Sequence, residues 1–193
     1  MEDIKGTDVY LLDQIMKGRY LPTDKILDAG CGSGRNMRWF ALNNYHIYGC
    51  DLNVDAVVYA QEITGLEADK FKVSAVEKMP YANGEFDHVI CNAVLHFAEN
   101  DSHFIEMAND MFRVLKPGGT LFVRMTSTFG LPQNYIVIRD GRYLLADGSE
   151  RFLLTKELLT KVKTIGFDQI EPVKSVLVEE LRSMTTLVLR KIG

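Results

Sequence analysis

The segment Ile26-Leu27-Asp28-Ala29-Gly30-Cys31-Gly32-Ser33-Gly34 carries the clearest structural signal in the sequence, an apolar run followed by three glycines at alternate positions. Glycines in this arrangement let the backbone turn sharply, and they let a ligand approach the chain where any Cβ would collide. In an open parallel sheet, ligands bind beyond the carboxyl ends of the strands, where the strand order reverses. The segment therefore predicts a strand that ends in a cofactor-binding loop.

Short apolar runs alternate with stretches of helical spacing on both sides of this loop, which is typical of an α/β fold with a parallel sheet. Five strands are predicted, at 25–29, 47–50, 71–73, 88–91 and 120–125. Five helices are predicted, at 9–16, 36–42, 54–63, 101–115 and 155–165. Two further strands, at 168–177 and 183–190, are expected to be antiparallel neighbours. The helices should pack on the sheet through their apolar stripes.

Residues 126–154 interrupt this alternation after the fifth strand. Within them, Asp140-Gly141 separates two extended-type runs, 135–139 and 142–145, and two-residue turns of this composition match the strand twist of a β-hairpin. We therefore expect a hairpin insertion. Insertions on a short fold tend to carry specificity on loops, so this one is a candidate for substrate selection or, equally, for a dimer edge.

Composition limits what the chain can be. Its 193 residues, 47% of them hydrophobic, are enough for one domain over 1–193 whose core needs no disulfide or structural metal. We expect a cytoplasmic protein without a membrane partner, because no apolar run approaches the roughly 20 residues that cross a bilayer and the first residues lack a secretion signal. The net charge of −4 argues against a nucleic-acid partner, since phosphate binding normally requires a basic stripe.

The cysteines and histidines do not suggest a metal site. Cys31, Cys50 and Cys91 are odd in number and widely spaced, so we expect free thiols near the strand ends on the cofactor side. The four histidines show no ligand spacing. No metal cofactor is therefore expected.

A single carboxylate complements the glycine loop. Asp51 follows the second predicted strand, and at its distance from Gly30 in the chain an acidic side chain reaches the hydroxyls of a ribose. A helix cap or a solvated carboxylate is the alternative. The dinucleotide pattern G-x-G-x-x-G needs a glycine where the chain has Arg35, and the P-loop pattern is absent as well. We therefore expect a nucleoside ligand that is neither a nicotinamide dinucleotide nor a nucleoside triphosphate.

Four ordered segments together resemble the class I S-adenosylmethionine-dependent methyltransferases. These are the glycine motif at 28–34, Asp51, the stretch 79–87 and the stretch 115–121. The resemblance covers about residues 25–125 and implies a Rossmann-like sheet of seven strands, the last antiparallel, with helices on both faces. It also implies S-adenosylmethionine as the cofactor. The stretch 79–87 is similar to the quinone and small-molecule branch, whereas 34–36 and 182–191 are similar to the tellurite-resistance methyltransferases.

The resemblance also implies which residues bind the cofactor: Asp28, Gly30, Cys31, Gly32, Gly34, Arg35, Asp51, Leu52, Val76, Glu77, Asn92 and Ala93. The glycine loop would contact the amino acid part of the cofactor, Asp51 its ribose and Leu52 its adenine. Asn92 and Ala93 would line the methionine side through backbone groups. Arg35 would either hold the cofactor carboxylate or lie exposed.

The adenine contacts depart from the family pattern. Ala75 stands where the family has an aspartate that takes the adenine amino group. We therefore expect the backbone of Val76 to contact the ring and Glu77 to replace the missing carboxylate.

The candidates for the substrate side are His96, Phe97 and Phe129. His96 follows the fourth strand, where substrate and cofactor should meet, and it would act as a general base or only line the pocket wall. The aromatic rings would wall the reactive methyl group or belong to the core. No catalytic residue is assigned, because a sulfonium methyl is already electrophilic and positioning alone can lower the barrier by about 7 to 11 kcal/mol.

The sequence therefore predicts methyl transfer to a small-molecule acceptor. The fourth strand lacks the Asn/Asp-Pro-Pro-aromatic signature of base amino methylation, which argues against a DNA substrate. Two alternatives remain open. One is a protein that binds S-adenosylmethionine without transferring methyl, and the other, disfavoured by Arg35, is an NAD-dependent oxidoreductase. The sequence allows a monomer or a homodimer.

Overall fold

The computed structural model describes residues 4–132 and 135–193, and a mixed sheet forms its centre. The strands described are β1 (Lys25–Ala29), β2 (His46–Asp51), β3 (Phe71–Val73), β4 (Phe86–Asn92), β5 (Leu115–Ser127), β6 (Ile136–Arg139), β7 (Arg142–Leu144), β8 (Glu150–Phe152), β9 (Phe167–Gln169), β10 (Lys174–Val178) and β11 (Arg182–Lys191). Along the main sheet the order is β10-β11-β5-β4-β1-β2-β3. Strands β1 to β5 run parallel, whereas β11 is antiparallel to both β5 and β10. The predicted seven-stranded, mostly parallel sheet with an antiparallel last strand is confirmed.

Helices cover both faces of this sheet. They are α1 (Val9–Met16), α2 (Met37–Leu42), α3 (Val54–Thr64), α4 (Asp101–Val114) and α5 (Lys156–Thr164). Successive strand residues point to opposite faces. Leu27 accordingly belongs to one core with Phe104 of α4, whereas Ile26 belongs to the other core with Leu11 of α1 and Phe40 of α2.

Several predicted boundaries differ from the structure, and two of these differences follow from strand pairing. Helix α4 ends at Val114, one residue early, because Leu115 is already extended and pairs with Phe86 of β4. The single strand expected at 168–177 divides into β9 and β10, which pair with separate stretches of β11. Pro172 lies in the interruption, and a proline has no N–H to donate to a strand ladder.

The insertion after β5 forms a small sheet of its own. The predicted hairpin at Asp140-Gly141 joins β6 to β7, and β8, which was not predicted, pairs with β7. Phe152 of β8 is fully buried and stacks on Phe104 at a ring distance of 5.3 Å. The hydroxyl of Thr126 donates a hydrogen bond to the Phe152 carbonyl (3.0 Å). These contacts hold the insertion against the carboxyl end of β5.

Two findings concern residues 4–132 and 135–193 only. None of their helices has the length and apolar character needed to cross a membrane. No group of three or more His, Cys, Asp or Glu side chains among them is placed to hold a metal ion.

Candidate active site

A cavity of about 520 Å³ lies beyond the carboxyl ends of β1 to β4. We call it the glycine-loop cavity. Ten of the twelve predicted cofactor residues line it: Gly30, Cys31, Gly32, Arg35, Asp51, Leu52, Val76, Glu77, Asn92 and Ala93. The carboxyl ends of parallel strands meet at one edge of a sheet, which is why residues so far apart in the chain lie together.

The glycines of the loop serve two different purposes. Gly30 has φ +76°, and a Cβ there would lie 2.3 Å from Cγ2 of Val94. A Cβ on Gly34 would lie 2.9 Å from Cβ of Ala60 in α3, so Gly34 permits close packing of the loop and is absent from the cavity wall. Among the described residues other than its two chain neighbours, none has an atom within 4 Å of a Cβ placed on Gly32. Gly32 thus leaves open space beside the cavity, whereas Gly30 and Gly34 make the tight turn possible.

Asp51 joins the end of β2 to the glycine loop. Its Oδ2 accepts the backbone N–H of Gly32 at 2.8 Å, and its Oδ1 accepts that of Asn53 at 2.9 Å. An ionised carboxylate offers about four acceptor positions, of which these bonds use two. The side chain lines the cavity, so two positions remain for hydroxyl donors of a ligand. Asn53 caps α3, its Oδ1 accepting the N–H groups of Asp55 and Ala56.

A buried carboxylate lies behind the loop. Asp28 is 1% exposed, and neither of its oxygens has a hydrogen-bond partner among the described residues. Burial, reinforced by the negative charge of Asp51, raises the pKa of Asp28 to about 7, although Arg35 acts in the opposite direction. Asp28 does not reach the wall of the glycine-loop cavity. A cationic ligand nearby would lower the pKa of Asp28 and favour the ionised carboxylate.

The three cysteines are free and buried. Burial raises the pKa of the Cys50 thiol to about 12 and raises the pKa values of Cys31 and Cys91 further still. The thiols therefore stay protonated at neutral pH and are poor nucleophiles. Cys31 contributes to the cavity as a small side chain rather than as a reactive one.

The structure separates the three substrate candidates. Phe97, which is 57% exposed, lies on the rim of the glycine-loop cavity. His96 instead lines a second cavity of about 320 Å³. Phe129 lies at a third cavity beside Lys156 and Glu157 of α5, because β5 continues to Ser127 and carries the chain away from the loop.

His96 is shielded from solvent. Burial, together with the positive charges of Arg151 and Arg182, lowers its pKa to about 4. The imidazole is therefore neutral at physiological pH. Its Nδ1 has no hydrogen-bond partner among the described residues.

Several wall residues escaped the sequence-based interpretation. Val94, which packs against Gly30, and His103 of α4 both line the glycine-loop cavity. Nε2 of His103 lies 3.5 Å from Oε2 of Glu77, at the segment expected to meet adenine. Val94 directly follows the predicted Ala93, whereas His103 belongs to α4 and has no recognisable spacing to the other wall residues.

Comparisons with known proteins identify the family. A family model described as methyltransferase domain matches residues 27–123. A ubiquinone biosynthesis O-methyltransferase from Hahella chejuensis is 30% identical over 115 residues, 58% of this chain and 47% of that protein. An uncharacterised protein from Methanocaldococcus jannaschii is 28% identical over 162 residues, 83% of this chain and 73% of that protein. The chain belongs to the methyltransferase domain family, and its cofactor is S-adenosylmethionine.

A crystal structure of an S-adenosylmethionine-dependent methyltransferase from Methanosarcina mazei shares the fold. It matches with a TM-score of 0.77 at 21% identity, over 92% of this chain and 97% of that chain. The chain spans less than half the length of its Hahella relative, so the relatives' acceptors do not transfer to it directly.

Proposed function

We propose that this chain transfers the methyl group of S-adenosylmethionine, in line, to a small-molecule acceptor. The main support for this proposal is the position of Asp51. Its carboxylate accepts a hydrogen bond from the glycine loop and keeps two acceptor positions at the wall of the glycine-loop cavity. Two free positions on one carboxylate suit the vicinal hydroxyls of a ribose. The Hahella relative is an O-methyltransferase of ubiquinone biosynthesis, which supports a small-molecule acceptor.

The rest of the cavity suits the other parts of the cofactor. The open space at Gly32 would receive the amino acid part, and Leu52 and Val76 would flank the adenine. Glu77 and His103 would contact the polar edge of the adenine ring. They would replace the aspartate that the family has at the position of Ala75. A cationic cofactor beyond the loop would favour the ionised form of Asp28, and that form would attract the cofactor in turn.

The methionine end of the cofactor would lie at the turn after β4. Ala93 has φ +62°, a conformation that is uncommon outside glycine, and its N–H donates to the Arg124 carbonyl at 2.8 Å. Nδ2 of Asn92 is buried and has no partner among the described residues, so it is available to a ligand. Arg35, whose Nη1 donates to the Gly6 carbonyl at 3.0 Å, would stand near the cofactor carboxylate.

The bound cofactor would supply an electrophilic methyl group. The protein's task is then to hold the acceptor in line with the carbon–sulfur bond and to exclude water, for which effective molarities correspond to about 7 to 11 kcal/mol at best. A neutral His96 beside the cavity can accept a hydrogen bond from the acceptor without being indispensable for the reaction.

Calorimetry and a product assay test this proposal. Titration with S-adenosylmethionine and S-adenosylhomocysteine should show binding of both, whereas NAD should not bind. A screen of small hydroxyl, amine and thiol acceptors should then yield S-adenosylhomocysteine. Binding without product from any acceptor would favour a non-catalytic binding protein, and binding of NAD alone would overturn the assignment.

A further inference from the structure

The second cavity, which we call the arginine cavity, adjoins the glycine-loop cavity. The two share Arg35, Asn92 and Ala93 as wall residues. Sheet topology explains their positions. The glycine-loop cavity lies over the ends of β1 to β4, whereas the arginine cavity extends over the ends of β5, β10 and β11. Because Ser183 of the antiparallel β11 pairs with Ser127, the first residues of β11 lie beside the last residues of β5.

Positive charge dominates the arginine cavity. Four arginines line it, from four separate segments of the chain: Arg35, Arg124, Arg151 and Arg182. Asp8 is the single carboxylate among the described residues that line it, and it pairs with Arg124 at 2.9 Å. Asp147, outside the wall, lies 3.5 Å from Arg182. The arginines therefore exceed the carboxylates that balance them.

The other two arginines donate hydrogen bonds to neutral carbonyl groups, although Arg151 also acts electrostatically on Asp147, and Arg35 on Asp28. Arg151 donates to the Glu150 carbonyl at 2.8 Å, and its guanidinium lies 5.4 Å from the ring centre of Phe97 on the rim of the glycine-loop cavity. Arg35 donates to the Gly6 carbonyl. These contacts orient the guanidinium groups and leave N–H donors for a ligand, since each guanidinium carries five.

Two buried polar atoms at the same cavity lack partners. Nδ1 of His96 and Nδ2 of Asn92 make no hydrogen bond among the described residues, although both residues are only 7% exposed. Both residues line the arginine cavity. A buried polar atom without a hydrogen-bond partner costs free energy, so a polar ligand that supplies the missing partners would bind favourably in this cavity.

We propose that the arginine cavity binds an anionic group, a carboxylate or a phosphate, of the methyl acceptor. Guanidinium groups bind such oxyanions through paired, charge-assisted hydrogen bonds. The shared wall at Asn92 and Ala93 would place the rest of the acceptor beside the methionine end of the cofactor. This inference rests on the proposed function, because it assumes that the glycine-loop cavity holds the methyl donor.

A matched pair of substitutions on β11 tests the inference. Arg182 lies at the start of the strand with a side chain 46% exposed, and Arg190 lies exposed near the other end, outside the cavity. The protein is saturated with S-adenosylhomocysteine and titrated calorimetrically with inorganic phosphate, malonate or uncharged acetamide. We expect phosphate or malonate to bind and acetamide not to bind. Arg182→Gln should raise the Kd of the anion at least about tenfold, whereas Arg190→Gln should raise it less than about twofold.

The same titrations distinguish the possible failures. Binding of S-adenosylhomocysteine without binding of either anion would overturn the inference and leave the proposed function intact. Loss of S-adenosylhomocysteine binding in Arg182→Gln would show that the arginines hold the cofactor carboxylate, which also overturns it. Absence of S-adenosylhomocysteine binding by the unmodified protein would overturn the proposed function itself. The anion that binds with the lower Kd, phosphate or malonate, indicates whether the acceptor group is a phosphate or a carboxylate.

A kinetic comparison provides an independent readout. Acceptors are assayed as matched pairs, each a carboxylic acid and its amide with the same hydroxyl, amine or thiol nucleophile. We expect kcat/KM to favour the acid at least about tenfold and expect Arg151→Gln to remove most of that preference while circular dichroism shows a folded protein. Equal rates for acid and amide in the unmodified enzyme would overturn the inference.

Discussion

The two halves of the sheet's carboxyl edge are built on different principles. The glycine-loop cavity is formed by segments that directly follow β1 to β4, and its key contacts are backbone N–H groups, glycines and one carboxylate. The arginine cavity is formed by side chains brought from the N-terminal segment, β5, the insertion and β11. In our proposal, the first half recognises a constant ligand through backbone shape, whereas the second recognises the acceptor through charge. The following experiments test that contrast.

The largest effect is expected at Asp51. If Asp51 binds the ribose as proposed, Asp51→Ala removes hydrogen bonds that are worth about 1.5–3 kcal/mol each, and it also releases the N–H of Gly32. The Kd for S-adenosylhomocysteine should therefore rise at least about 100-fold in calorimetry. Asp69→Ala, at an exposed position before β3, is the matched control and should change the Kd less than about twofold. An unchanged affinity in Asp51→Ala would contradict the placement of the cofactor.

Packing of the glycine loop is tested by two alanine substitutions at positive φ. Gly30→Ala should lower the free energy of unfolding by about 3 kcal/mol, because the new Cβ would lie 2.3 Å from Val94. Gly18→Ala, at φ +67° with no atom within 4 Å of the Cβ, should cost about 1 kcal/mol. Urea denaturation measures both. Equal losses would mean that Val94 moves aside and that the loop tolerates a side chain.

The buried carboxylate of Asp28 should make stability depend on pH. Its pKa of about 7 lies above the ordinary value, so the native state retains a proton that the unfolded chain releases. This contribution is fully present below about pH 4 and is lost as pH rises towards 7. Between pH 5 and 8 the wild type should lose about 3 kcal/mol of unfolding free energy relative to Asp28→Asn. Parallel pH profiles would show that Asp28 is ionised throughout.

The smallest effect concerns His96, in the other half of the edge. Its pKa of about 4 lies below the ordinary value, so its contribution to stability is present above about pH 6.5 and is lost as pH falls towards 4. Because Arg151 and Arg182 contribute to this lowering, phosphate in the arginine cavity should raise the pKa by about half a unit to one unit. NMR titration measures the change.

His88 supplies an internal control for that titration. It is buried near the start of β4, with Nδ1 2.7 Å from Thr120 and Nε2 3.0 Å from Asp24. Phosphate should leave its pKa unchanged. A pKa change at both histidines would indicate a general salt effect. An unchanged pKa at His96 would contradict its electrostatic coupling to the arginines.

Local patterns predicted most of the fold. β1, β3 and α1 begin and end where the apolar runs and flanking turn residues indicated. β5 is longer than the predicted 120–125 at both ends, because Leu115 pairs with Phe86 of β4 and the pairing with β11 continues to Ser127. The sequence of one strand does not reveal how far its partners extend. The third strand of the insertion was missed for the same reason, since β8 is short and defined by its pairing with β7.

The two cavities differ in the same way. Residues of the glycine-loop cavity lie next to predicted strand ends, so a parallel sheet brings them together without further information. Arg124, Arg151 and Arg182 carry no such signal, because each is an ordinary charged residue in its own segment. Whether the predicted residues bind the cofactor stays a prediction that the Asp51 experiment tests.

The stacking of Phe152 on Phe104 has a consequence for how acceptor preference can diverge. Arg151 adjoins Phe152 in β8, so a buried aromatic contact fixes the position of a charged neighbour. The turns that precede β8 can change in length or composition while this anchor stays in place. Under the proposed assignment of the two cavities, a change in this one surface segment would alter the acceptor preference and leave the cofactor cavity intact.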